Sequence, residues 1–90
     1  MAGADRQTPL EFPCEFPIKA MGEARPGFEA LVIEIVREHA PDLAETAVHS
    51  TASRHGTYTA VTVTITARSR AQLDAIYRDL TARAEVIMAL

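Results

Sequence analysis

Ninety residues, 48% of them hydrophobic and 23% charged, suffice for one globular domain with one core and exclude the disordered and fibrous classes. Nine Lys and Arg scattered among twelve Asp and Glu give a formal net charge of −3, which argues against a nucleic-acid partner, and no apolar run approaches the roughly 20 residues of a membrane span. The lone cysteine, Cys14, excludes an intrachain disulfide and any Cys-x-x-Cys pair, and the chain begins without an apolar stretch of signal-peptide type, so a bacterial-type cytoplasmic protein is expected.

Residues 1–10 are small and polar and read as a flexible tail, which leaves a single domain over residues 11–90. The run from Phe12 to Gly22 is strand-like, but Pro13 and Pro17 remove backbone donors, so the regular strand is expected from Phe16 or Pro17. Phe16, Ile18 and Ala20 then share one face, while Lys19 and Met21 share the other. Cys14 reads as a small hydrophobe near the strand start, since no base that would activate a thiolate is assignable. Gly22 to Gly27 is a connection, and Pro26 suits a first helical turn because its missing donor would be unpaired there. From Phe28 the period changes. Phe28, Leu31, Val32, Ile35 and Val36 fall at i, i+3, i+4, i+7 and i+8, opposite Glu29, Glu34, Arg37 and Glu38, which predicts an amphipathic helix ending near His39 or Ala40, before Pro41.

Ala44 to Arg54 predicts a weaker strand in which Val48, Ser50 and Ala52 alternate with His49, Thr51 and Ser53, a polar pattern suited to a sheet edge. Arg54-His55-Gly56 is a tight turn with Gly56 supplying a positive φ. In Thr57 to Ala67, Val61, Val63 and Ile65 line one face and Thr62, Thr64 and Thr66 the other, the pattern of a strand in a sheet covered on one side. Ser69, three residues before Gln72, marks a capped helix start. Leu73, Ile76, Tyr77 and Leu80 then predict a helix over about Arg70 to Ala82, and Glu85 to Leu90 a final strand.

Strand, helix, strand, strand, helix, strand is the ferredoxin-like βαββαβ order, an α+β sandwich of a four-stranded antiparallel sheet with two helices on one face. Its crossovers are expected to leave the first and third strands central and parallel. The predicted core joins Ile18, Leu31, Ile35, Val61, Val63, Ile65, Leu73 and Ile76, and the open face carries Lys19, Met21, Tyr58, Thr62 and Thr64.

Each activity that this fold hosts requires its own residues. A chain with no Asn lacks the water-positioning residue of an acylphosphatase, and one Cys cannot make a metallochaperone pair. Tyr58 alone is too little for an RNA-recognition surface. His39, His49 and His55 have no mutual spacing that closes a metal site, so none is expected. The loop Gly22 to Gly27 places Gly22, Arg25 and Gly27 at a helix N-terminus, where amides can hold a carboxylate or phosphate.

The runs Phe12-Pro13-Cys14-Glu15-Phe16-Pro17-Ile18-Lys19, Met21-Gly22, Tyr58, Val61-Thr62-Val63-Thr64-Ile65-Thr66-Ala67 and Ser69-Arg70-Ala71-Gln72-Leu73-Asp74-Ala75-Ile76-Tyr77-Arg78 resemble the small bacterial YbeD-like proteins, a family labelled as lipoate regulatory proteins. The resemblance covers Leu10 to Leu90, with Ala20 standing where a larger aliphatic is common and Ala84 where Pro is. It implies a βαββαβ fold similar to the ACT-type regulatory domain of phosphoglycerate dehydrogenase, and brings no catalytic residues with it. The residues themselves offer no nucleophile with a base and no paired acids. A non-enzymatic regulatory or protein-interaction domain is therefore expected, without cofactor, associating as a homodimer through the open face or edge strands and with a protein partner the residues do not identify. The alternative is an ACT-like sensor that binds an amino acid or other carboxylate at the 22–27 loop.

Overall fold

Tyr58–Ala67 (β3) lies inside a four-stranded sheet of order β2-β3-β1-β4, in a computed structural model that describes residues 10–90. The other elements are β1 (Cys14–Glu23), α1 (Phe28–His39), β2 (Val48–Ala52), α2 (Arg70–Thr81) and β4 (Met88–Ala89). The fold is ferredoxin-like, with both helices covering one face of the sheet. The expected tail, residues 1–10, falls outside the described residues except for Leu10. Among the described residues, no helix is long and apolar enough to cross a membrane.

β1 and β3 are the two central strands, but they are antiparallel and not parallel: Cys14 faces Ala67 at one end of the ladder and Glu23 faces Tyr58 at the other. The reason is topological. α1 carries the chain back so that β2 repeats the direction of β1, and the turn at residues 53–57 then reverses the chain, inserting β3 between them. Gly56 takes the positive φ of 71° that this turn requires, and Ser53 accepts the amide of Gly56 through its carbonyl.

β1 begins at Cys14, two residues earlier than its prolines suggest. Lys19 and Leu90 exchange both backbone hydrogen bonds, so residues of the parity of Lys19 point their backbone groups toward β4. Pro17 shares that parity and lies beyond the reach of the two-residue β4. Its missing donor therefore costs no ladder bond, and the strand runs through it.

Two other boundaries also differ. A 3₁₀ turn, Glu45–Ala47, takes up the start of the expected second strand, because Leu43 is drawn into the core and the chain must climb back to the sheet edge. The last strand is confined to Met88–Ala89: Val86 turns into the core, with its amide on the Arg83 carbonyl, which breaks the alternation that an extended run from Glu85 would need.

The core is a single layer between sheet and helices. Val61, Val63 and Ile65 of β3 and Ile18 and Ala20 of β1 meet Phe28, Val32, Ile35 and Val36 of α1 and Leu73, Ile76 and Leu80 of α2. Full burial of one such aliphatic is worth roughly 1.5–3 kcal/mol, so this layer is the main source of stability. Leu31, expected in the core, is only half-buried, since its side of α1 faces a cleft beside the 22–27 loop.

Candidate functional site

Three places on the fold bring chemistry-bearing residues together. The first is the face of the sheet opposite the two helices. Strand alternation sets Lys19, Met21, Tyr58, Thr62 and Thr64 on it, as expected. The register adds residues that no single strand reveals: Met88 lies beside Met21, which lies beside Ala60 and then Thr51, while Leu90, Lys19, Thr62 and His49 form the next row. Tyr58, Met88 and Leu90 are 44%, 47% and 62% exposed, so one end of this face is an apolar strip. Met88 and Leu90 were legible in principle, because the βαββαβ order seats the last strand against the first.

The second place is the 22–27 loop, which borders a cleft of about 590 Å³ lined by Glu23, Arg25, Phe28, Leu31, Glu85 and Ile87 among others. The three residues expected to hold a ligand there have different surroundings. Gly22 is buried, and a Cβ on it would collide with the Phe28 ring and the Glu85 carbonyl oxygen, so its role is close packing. Gly27 adopts φ 88° at the N-cap of α1, where the Leu31 amide donates to its carbonyl. Arg25 donates from Nε and Nη2 to Oε1 of Glu23, at 3.0 and 2.7 Å, and its guanidinium is thereby partly satisfied within the loop. A second carboxylate, Glu85, stands across the cleft. A hydrogen bond from its own backbone amide, then Arg83 and Arg25, hold its carboxyl below the usual range against slight desolvation. The rim is thus mixed in charge over an apolar floor.

The third place is the junction between the end of α1 and the last turns of α2. His39 Nε2 lies 2.6 Å from Asp79 Oδ2, and the His39 carbonyl accepts a 2.7 Å hydrogen bond from Gln72 Nε2. Gln72 and Asp79 are seven residues apart, two turns along one face of α2, so His39 is held at both ends. Glu38 completes a group in which one ligand-type atom from each of Glu38, His39 and Asp79 lies within 4.8 Å of the others. The spacing of the three histidines among themselves does not reveal this group, since Asp79 stands forty residues from His39 in sequence. On the other side of α2's axis, partial burial pushes the Tyr77 phenol up from its ordinary value.

A family model described as "Protein of unknown function (DUF493)" matches residues 7–90. The chain belongs to the DUF493 family. Its similar proteins include a UPF0250 protein of Pseudomonas paraeruginosa, 52% identical over 89 residues and covering 96% of this chain and 95% of that one. Another is a UPF0250 protein of Chromobacterium violaceum, 50% identical over 86 residues with 96% and 97% covered. YbeD-like proteins are the UPF0250 family, so the resemblance carried by the strand and helix motifs is borne out. The solution structure of protein HP0495 from H. pylori superimposes with a TM-score of 0.70 at 11% identity, covering 97% of this chain and 92% of that one, a likeness of fold. The DUF493 family has no named catalytic activity.

Proposed function

We propose that this chain is a non-enzymatic regulatory or protein-interaction domain that works through the uncovered face of its sheet, and that a second copy of the chain is the first occupant of that face. The observation that carries this reading is the strip of exposed Tyr58, Met88 and Leu90 with half-buried Met21 on a face that no element among the described residues covers. The face is also self-complementary. Lys19, Met21 and Glu23 follow one another outward at two-residue steps on β1, so a two-fold axis near Met21 sets Lys19 of one copy against Glu23 of the other.

Size limits the strength. Strands of 10, 5, 10 and 2 residues at about 3.3 Å per residue and 4.8 Å spacing project only about 400 Å², well under the roughly 800 Å² per partner of a standard stable interface. A weak, concentration-dependent dimer is expected. Light scattering across a wide concentration range tests it: the mass should rise from 9.8 kDa toward twice that value and fall back in Met88→Lys and Thr64→Lys. A mass of 9.8 kDa throughout removes the second-copy reading, and a dimer indifferent to both substitutions moves the interface to the edge strands.

The cleft beside residues 22–27 supports a second reading, an ACT-like sensor for an amino acid or other carboxylate, in which Arg25 leaves Glu23 to meet the ligand. A saturable thermal shift with amino acids or lipoyl compounds, lost in Arg25→Ala, favours that reading over the first.

A further inference from the structure

We propose that Glu38, His39 and Asp79 form a binding site for a divalent transition ion of the zinc class, joining the end of α1 to the last turns of α2. One imidazole nitrogen and two carboxylates are a donor set that zinc accepts, with a fourth position left to water. Hard cations such as magnesium and calcium, which call for six or more oxygens, are poorly served by it.

The geometry needs little adjustment. Bonds near 2.1 Å in a tetrahedron put donor atoms roughly 3.4 Å apart. His39 Nε2 and Asp79 Oδ2 are already hydrogen-bonded at 2.6 Å and must open by less than an ångström (~0.8 Å by that tetrahedral spacing) as the ion takes the place of that bond. Glu38 must close from at most 4.8 Å, and as an exposed side chain it is free to rotate inward. The imidazole is positioned beforehand, because Gln72 fixes the His39 carbonyl while Asp79 fixes the ring. Charge favours a cation as well: two carboxylates stand where α1 presents the negative end of its dipole. This site lies on the helix side of the molecule and is independent of the open sheet face.

The test is titration of the tag-free, metal-stripped full chain with Zn²⁺ by calorimetry and with Co²⁺ by visible absorption. One ion per chain is expected, with cobalt bands of low coordination, an affinity that falls as the buffer is acidified, and no displacement by excess Mg²⁺. His39→Ala and Asp79→Asn should each weaken binding at least about ten-fold, and Glu38→Gln by a smaller factor, whereas His49→Ala and His55→Ala should leave it unchanged. Circular dichroism checks that the variants fold; Glu38 is exposed and its side chain makes no hydrogen bond among the described residues, so Glu38→Gln remains informative if either of the others fails. Absence of saturable binding at about 1 mM Zn²⁺, or equal affinity in wild type, His39→Ala and Glu38→Gln, overturns the site.

Discussion

Gly22 shows how one missing methyl group shapes the surroundings of a cleft. Because it has no Cβ, the ring of Phe28 and the carbonyl of Glu85 both approach the backbone of β1, and the segment leading into β4 can close over the start of α1. Gly22→Ala forces atoms into occupied space and is expected to cost about 1–3 kcal/mol in a urea titration. Gly27 and Gly56 have open space around them, and alanine there is strained only by the positive φ, an effect of roughly 1–2 kcal/mol. Wild-type stability in Gly22→Ala would show that the packing at this point is loose. Arg25 carries the complementary lesson: its nearest acid, Glu23, stands two residues away and engages it before any outside carboxylate arrives.

Helix α2 owes its start to a local hydrogen-bond exchange. Ser69 Oγ accepts the Gln72 amide at 3.1 Å, and Gln72 Oε1 accepts the amide of Arg68 at 2.7 Å, one residue ahead of the position that the usual capping box serves. The free end of the same amide ties α2 to α1 through the His39 carbonyl. Ser69→Ala should therefore cost about 1 kcal/mol, and Ser69→Asp should recover most of it by supplying another acceptor beside the positive helix end. Thermal denaturation of the two variants decides this, and an equal loss in both would deny the cap its role.

Among the described residues the helices cover one side of the sheet, which makes neighbouring residues of β3 unequal. Val63 is fully buried between helices and sheet, while Thr64 points to the open face. Val63→Ala is expected to destabilise by about 1–3 kcal/mol and Thr64→Ala by far less, as read from urea midpoints. Equal losses would mean that the open face is covered in solution at the concentration used, and repeating the titration at higher dilution would then separate the two residues.

Element type, element order and the inward face of each element were all legible from residue patterns, because alternation along β3 and the three-and-four spacing along α1 are properties of a short stretch and hold whatever packs against it. The open face was legible for the same reason, from Lys19 through Thr64. The packing role of Gly22 and the meeting of His39 with Asp79 were not, and the direction of β3 and the place of Met88 and Leu90 follow only once that element order is laid out as a sheet. Each of these depends on which segments lie side by side. That choice is made by burial of the common core, an energy that belongs to the assembled layers and to no window of the chain.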